Sequence, residues 1–484
     1  MAEESLKHKA VAGVLWSSAQ QFGTSIISFL SNIVMARLLT PNDFGCIGLL
    51  AIFIAISNVF IVGGFISALI QKKETTSLDY STAFFWNIVV SLFCYILIYL
   101  IAPKIAVFYR ISMLTDIIRV LGLVLIINAL SVVQSTILRK SFQFNKLAKI
   151  GIFSTFFSVC IAITLAYKGW GVWSLVAQQI VFSVCNAGCL WYKSTWIPRF
   201  QFSIKSFKEM FGYGSFLLLS DLLNNFVDNL QGLIIGRKYS TTDMGHYTQA
   251  KKLEEIPTTS ISSVVGYVTF PMYSSIQHDR ARLGQAVKKS MGMMNYVNFP
   301  LMILLIVIAK PLFLLLYSEK WIGSVEYFQI LCTAGLVNCM QSVNYQVVAA
   351  VGKSKELFRW NVVKRIVGIL LMLLGSNYGV RGVLYGMVIS FYFTYVVNAC
   401  LANQSTGYSL LMQLRDSLPL FLLSVIPALI AIIFSFFSLH YLFLLPIQVL
   451  TFLLTYLTLT SILRKEEYSE TINILKNSYH NLFK

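Results

Sequence analysis

One short pattern occurs twice in this chain, in the same internal register. Arg37, Asp43 and Gly45 stand in Met35-Ala-Arg-Leu-Leu-Thr-Pro-Asn-Asp-Phe-Gly45, and Arg237, Asp243 and Gly245 in Ile235-Gly-Arg-Lys-Tyr-Ser-Thr-Thr-Asp-Met-Gly245. Each copy lies between two long apolar runs. A turn repeated in that setting requires two related halves built from membrane-length segments. Repeat-built membrane proteins of this kind are characteristically transporters rather than receptors or anchored enzymes.

Composition agrees. Of 484 residues, 57% are hydrophobic and 12% charged, against about 25% charged in soluble globular chains. The apolar residues come in runs along the whole length, and no loop between them is long enough to fold alone. The net charge of +18 is spread over many short loops, as the positive-inside rule gives. It forms no single basic face, so nucleic acid is not expected as a partner. The eight cysteines fall within or at the ends of apolar runs, without a CxxC or a Cys/His cluster, so neither a disulfide framework nor a metal site is expected.

Fourteen apolar segments can be drawn, at approximately 11–36, 44–70, 81–102, 116–138, 147–167, 171–192, 213–236, 254–274, 290–309, 325–351, 360–377, 381–402, 417–438 and 440–462. The first follows Lys7 and Lys9 and is longer than a signal-peptide core, so it reads as a spanning helix. The eighth is weakest, because Pro257, Pro271 and several hydroxyls interrupt it, but the repeat requires it. With the N-terminus in the cytoplasm, most of the 38 Lys and Arg residues fall on the inner side, Lys72, Lys140, Lys208, Lys289 and Lys353 among them. That bias gives an even number of spans with both termini cytoplasmic.

The repeat extends further. Gly171-Val-Trp-Ser-Leu-Val176 opens the sixth segment and Gly379-Val-Arg-Gly-Val-Leu384 the twelfth. The expectation is therefore an all-α membrane protein with a parallel internal repeat. Residues 1–200 form one six-helix bundle, 201–410 a second, and 411–484 two further helices, apolar and without assigned chemistry, and a cytoplasmic tail.

The turn at 37–45, the matching run Gly236-Arg-Lys-Tyr-Ser-Thr-Thr-Asp-Met-Gly-His-Tyr247 and Ala250-Lys-Lys-Leu-Glu-Glu-Ile-Pro257 carry a family resemblance. The chain resembles Wzx-type lipopolysaccharide, O-antigen and exopolysaccharide flippases, in the polysaccharide-exporter branch of the multidrug/oligosaccharidyl-lipid/polysaccharide exporter superfamily. The resemblance implies a V-shaped pair of six-helix bundles around a central cavity, in a bacterial inner membrane. It implies an undecaprenyl-pyrophosphate-linked glycan as the cargo, moved from the cytoplasmic to the periplasmic leaflet among membrane lipids. A polysaccharide polymerase and ligase are the cellular partners that go with such a cargo, and whether the cycle uses protons, sodium or neither stays open. No triad, P-loop or nucleotide site is visible, so no cofactor is expected and ATP is not expected to drive the cycle directly.

Candidate site residues follow from polar groups at membrane depth. In the repeated turn, Asp43 and Asp243 fit helix caps and Gly45 and Gly245 a sharp turn. The alternative has Arg37 or Arg237 meeting pyrophosphate, for which guanidinium is well shaped. In the seventh segment Asp221, Asn225 and Asp228 share one helical face, with Asn224 and Gln231 beside it. Intramembrane carboxylates face bundle interiors or wet cavities, so Asp221 and Asp228 are candidates for ion coupling, or else part of a seal between the halves. Gln20 holds a similar place in the first segment. Asn338, Gln341 and Asn344 fit sugar hydroxyls or helix-to-helix glue equally well. Lys252 is either internally paired or a headgroup contact. Lys364 and Arg365, deeper than loop charges, either snorkel to the cytoplasmic surface or face the cavity. Three other functions compete: a cation-coupled multidrug exporter of the same superfamily, a polytopic glycosyltransferase or polymerase, which would need a long extracytoplasmic loop, and a scaffold without transport.

Overall fold

The computed structural model describes residues 2–62, 64–72, 74–437 and 439–463. The tail expected from 464 onward and Lys73 lie outside the described residues, as do the side chains of Lys7 and Lys9. Among the described residues the chain forms α1 (Ala2–Leu38), α2 (Pro41–Val62), α3 (Phe65–Gln71), α4 (Ser77–Tyr109), α5 (Leu114–Lys140), α6 (Phe144–Tyr167), α7 (Val172–Lys193), α8 (Ile204–Lys238), α9 (Thr241–Ser275), α10 (Arg280–Leu316), α11 (Gly323–Ala350), α12 (Ser354–Gly375), α13 (Gly379–Thr406), α14 (Leu410–Ile433) and α15 (Tyr441–Leu463).

Each expected segment falls on a helix, with two differences. The second is broken at Gly64, whose φ of 71° ends α2 and starts the short α3. The eighth, weakest by hydropathy, is one continuous helix with Pro257 and Pro271 inside it. Among the described residues, nine segments are long and apolar enough to cross a membrane: α2 with α3, α4, α5, α6, α7, α10, α13, α14 and α15. The remaining long helices are α1, α8, α9, α11 and α12. The shortest, α12, has 22 residues, about 33 Å at 1.5 Å per residue, which matches a hydrocarbon core of about 30 Å. These five carry the polar residues that lower their mean hydropathy: Gln20 in α1, Asp221, Asn225 and Asp228 in α8, Lys252 in α9, Asn338, Gln341 and Asn344 in α11, Lys364 and Arg365 in α12.

Packing divides the chain into two compact units, Met1–Gly245 and His246–Lys484. In the first, α4 packs on α5, α6 on α7, α5 on α7, α1 on α6 and α8 on α2. In the second, α10 packs on α11, α12 on α13 and α11 on α13. The α4/α5, α6/α7 and α5/α7 pairs thus have counterparts in α10/α11, α12/α13 and α11/α13. The second unit has a continuous apolar core, with Met302, Val343, Val347 and Ala399 fully buried.

α14 and α15 are apolar, as their composition gives, and they also carry polar contacts. Both pack on α10 through buried hydrogen bonds. Asn295 of α10 donates to Ser417 of α14 at 2.8 Å and Tyr456 of α15 to the Tyr296 carbonyl of α10 at 2.7 Å, while Gln448 of α15 donates to Ser435, just past α14, at 2.8 Å. Near the start of α14, Asp416 accepts from Tyr408 at 2.8 Å and pairs with Lys288 at 3.0 Å. Burial, with Asp416 beside it, pushes the Tyr408 phenol well above its ordinary pKa.

Candidate functional site

The repeated turns are built alike. Asp43 Oδ2 accepts from the Thr40 backbone N–H at 2.9 Å and from its hydroxyl at 2.7 Å, while the Asp43 N–H donates to Thr40 Oγ1 at 3.4 Å. Asp243 Oδ2 accepts from the Ser240 N–H at 3.2 Å and hydroxyl at 2.7 Å, while the Asp243 N–H donates to Ser240 Oγ at 3.0 Å. Each is a reciprocal cap on the helix that follows, satisfying N–H groups that a helix start leaves without intrahelical partners. Arg37 and Arg237 end the preceding helices, both exposed. The Arg237 guanidinium lies over the Phe108 ring, 5.3 Å from its centroid, a cation–π arrangement.

The glycines of the turns pack on each other's helix starts. A Cβ at Gly45 would lie 1.9 Å from the Thr241 carbonyl oxygen, and one at Gly245 1.8 Å from that of Pro41. The close approach continues down α8. A Cβ at Gly232 would sit 3.3 Å from the Gly48 carbonyl oxygen, and one at Gly236 would strike Leu49 and Tyr109 at 2.0 and 2.7 Å. Gly232-Leu-Ile-Ile-Gly236 is the spacing that lets membrane helices approach backbone to backbone. At the opposite end of α2, Gly64 and Gly214 meet: a Cβ at Gly64 would be 2.4 Å from the Gly214 carbonyl oxygen, and one at Gly214 2.7 Å from the Gly64 carbonyl carbon.

Gly214 and Gly232 are 18 residues apart in α8, five helical turns and roughly 27 Å, so they share one face. Asp221, Asn225 and Asp228 lie on that face between them. Asp221 and Asp228 are exposed and Asn225 is half-buried, although α8 closes on the α2–α3 segment at both ends. Asn225 donates to the Asp221 carbonyl at 2.9 Å and Asn229 to the Asn225 carbonyl at 2.9 Å. Gln231, beside the stripe, is buried at 6% exposure. The stripe is thus an accessible acidic and amide face bounded by two glycine contacts. Gln20 sits apart from it: its amide lies 2.8 Å from where a Cβ at Gly151 of α6 would be.

In the second unit the polar candidates separate into two groups. Lys364, 5% exposed, donates to Asn398 Oδ1 at 2.8 Å. Asn398 Nδ2 donates to Gln341 Oε1 at 3.2 Å, and Gln341 to Asn338 Oδ1 at 2.9 Å. This chain runs from a buried ammonium to the half-buried amides of α11. Arg365 is half-buried next to it. Asn344 is fully buried and exchanges hydrogen bonds with Gln413 at 2.9 and 3.1 Å, so its amide joins α11 to α14. In α9, Lys252 is exposed while Lys251 pairs with Glu255 at 3.6 Å. Glu254 lies against α11, its Oε1 3.1 Å from where a Cβ at Gly335 would be.

Asn398 and Gln413 escaped the reading of the chain, although a lone amide inside an apolar run is itself a signal for an interhelical hydrogen bond. The Glu254 contact had no such signal, since it depends on a glycine of another helix.

Solved structures share this architecture. The lipid II flippase MurJ in its inward closed conformation superposes with a TM-score of 0.77 at 17% identity, covering 94% of this chain and 99% of that one. An inward-facing multidrug resistance transporter of the MATE family gives 0.59 at 15% identity, covering 81% of this chain and 97% of that one. The protein is therefore a multi-pass helical membrane protein with the fold of these two. The chain belongs to the family described as polysaccharide biosynthesis protein, which matches residues 34–326. Among its relatives, the teichuronic acid biosynthesis protein TuaB of Bacillus subtilis (strain 168) is 25% identical over 359 residues, 74% of each chain. The lipopolysaccharide biosynthesis protein WzxC of Escherichia coli (strain K12) is 22% identical over 404 residues, 82% of this chain and 81% of that one.

Proposed function

We propose that the protein is a flippase for lipid-linked oligosaccharides, carrying undecaprenyl-pyrophosphate-linked units from the cytoplasmic to the periplasmic leaflet of a bacterial inner membrane by alternating access. The observation that carries the reading is the α8 stripe: Asp221, Asn225 and Asp228 accessible between two closed glycine contacts. A multiply charged headgroup cannot cross hydrocarbon unaided, and an enclosed polar face lowers that barrier. Membership in a polysaccharide biosynthesis family and the MurJ-like fold support the same cargo class.

In this reading all fourteen long segments span the membrane as two six-helix repeats, 1–200 and 201–410, with α14 and α15 appended and both termini cytoplasmic. The matching helix pairs of the two units support the repeat. Asp221 and Asp228 couple a proton or sodium ion, because carboxylates would repel pyrophosphate. Arg37, Arg237, Lys252 and Arg365 meet the pyrophosphate, with Lys364 acting through Asn398, and Gln20, Asn225, Asn338 and Gln341 meet sugar hydroxyls. Asn344 belongs to the scaffold. Proteoliposomes loaded with a polyprenyl-pyrophosphate oligosaccharide test the reading: protein-dependent exposure of the sugar to an external glycosidase supports it. Dye efflux without sugar movement would replace it with the multidrug-exporter alternative.

A further inference from the structure

The ends of α3, α4 and α8 next to Gly64 and Gly214 pack more elaborately than helix termini need. One part is a fixed seat. Lys140 donates to the Leu69 carbonyl at 3.0 Å, to the Lys72 carbonyl and to Thr75 Oγ1 at 3.1 Å, closing the end of α3. Asp79, with a side chain 1% exposed, completes a capping box with Thr76 and pairs with Lys72 at 2.9 Å. All these groups come from α3, α4, α5 and the loop joining α3 to α4.

The other part comes from α8 and is lighter. Phe207, Met210, Phe211 and Gly214 follow the i, i+3, i+4, i+7 pattern of one helical face. Phe207 packs on Trp86 with ring centroids 4.6 Å apart and on Phe65 at 5.8 Å, and Phe211 lies 6.4 Å from Phe65. Met210 is buried with Phe65, Leu69, Phe84 and Val133. Lys72 reaches Glu209 at 3.2 Å, where the carboxylate is 49% exposed. The connector before α8 is tied to α4: Trp196 Nε1 donates to Ser77 Oγ at 3.2 Å, and the Ser203 N–H to Thr82 Oγ1 at 3.1 Å. Ser203 also caps α8 by accepting from the Ser206 N–H.

We propose that this contact is a cytoplasmic latch, in which the 207–214 face of α8 leaves the α3–α4 seat once per transport cycle while the Ser203 tie to α4 serves as the pivot. The inference rests on the flippase reading. Its geometric basis is that Gly214 and Asp221 share one face of α8, so the Gly64–Gly214 contact closes the polar stripe from that end. The seat is held by buried and multiply bonded groups. The 207–214 face of α8 contributes aromatic packing, the buried Met210, one glycine crossing and the exposed Glu209 carboxylate. Ser206, at the pivot end beside Ser203, also hydrogen-bonds Asp79, which keeps Lys72 and Thr76 as partners when the face leaves, so no buried charge is left alone.

The test reads access rather than transport. In inside-out vesicles, Asn225→Cys is labelled from the cytoplasmic face with a membrane-impermeant maleimide, and the labelled peptide is quantified by mass spectrometry so that the native cysteines do not interfere. Adding Lys72→His with Glu209→His creates a zinc clamp across the latch, with Asp79 alongside. Zinc is expected to lower labelling at least tenfold, and a chelator to restore it. Glu209→Lys, which sets two ammonium groups against each other, is expected to raise labelling several-fold. Labelling that zinc does not change, or that Glu209→Lys lowers, would overturn the latch. Glycan movement by the unaltered protein is followed in parallel vesicles, so a failure there falls on the flippase reading, while the labelling still decides the latch.

Discussion

Gly45 and Gly245 are reciprocal: each stands where a side chain would collide with the first-turn carbonyl of the other's helix, Thr241 for one and Pro41 for the other. The repeated turn is therefore more than two copies of one cap. The two copies meet, and each glycine leaves room for the other's backbone.

Either Gly45→Ala or Gly245→Ala should destabilise the protein by about 1–3 kcal/mol, the usual cost of overpacking, or more where the backbone cannot yield. The two effects should match, because the two distances do. Gly188→Ala, at a helical position with nothing within 4 Å of the added carbon, should be neutral or stabilising by roughly 0.5–1 kcal/mol. Thermal unfolding of the purified protein in detergent, followed by circular dichroism, separates these cases.

The caps should be worth less than the glycines. Asp43→Ala and Asp243→Ala each remove a reciprocal cap and should cost about 0.5–2 kcal/mol, with the double variant near the sum. A matched pair of melting shifts is the expected result, and glycan transport should persist wherever folded protein remains.

Lys364 and Asn398 should be coupled. Asn398→Leu takes away the carbonyl that Lys364 donates to, leaving a buried ammonium poorly compensated at a cost of about 3–5 kcal/mol. Lys364→Met in the same chain should recover most of that loss, since replacing both partners is far milder than removing one. A double-mutant cycle on denaturation midpoints gives the coupling directly.

The pH dependence of the latch follows from Lys72. Its hydrogen bond to Asp79, with Glu209 adding to it, holds the ammonium above its ordinary value of 10.5. A group with a raised folded pKa contributes stability that is fully present below its unfolded pKa and lost as pH rises through the folded one. The melting difference between the parent and Glu209→Gln should therefore be flat between about pH 6 and 9 and shrink only above the ordinary lysine range. Because the Lys72–Glu209 pair is partly exposed, its size should be about 0.2–1 kcal/mol and fall with added salt.

How far the chain could be read depended on the kind of signal involved. The helices were legible because a bilayer demands long apolar runs, and the turn aspartates because a carboxylate before an apolar run marks a helix start. The part of Thr40 and Ser240, whose hydroxyls accept from the aspartate N–H groups, was not. Helix ends were less so: α8 begins at Ile204 and α10 continues to Leu316, since a helix prolonged past the apolar core leaves little hydropathy trace. The break at Gly64 was invisible within a continuous apolar run. The reciprocity of Gly45 and Gly245 was hidden for a different reason, as it depends on where two helices cross. The α8 stripe was legible from periodicity alone. Its closure by Gly64 and Gly214 was not, and neither was the fate of Asn344, whose partner Gln413 lies 69 positions away.

The most direct test of the central claim is leaflet-resolved mass spectrometry of polyprenyl-linked glycans in a deletion strain, using an impermeant sugar-modifying enzyme to assign sidedness. Complete oligosaccharide units should accumulate on the cytoplasmic side, and the parent gene should clear them while Asp228→Ala, expressed at parental level, should not. A strain that makes the glycan yet accumulates none on that side would contradict the account.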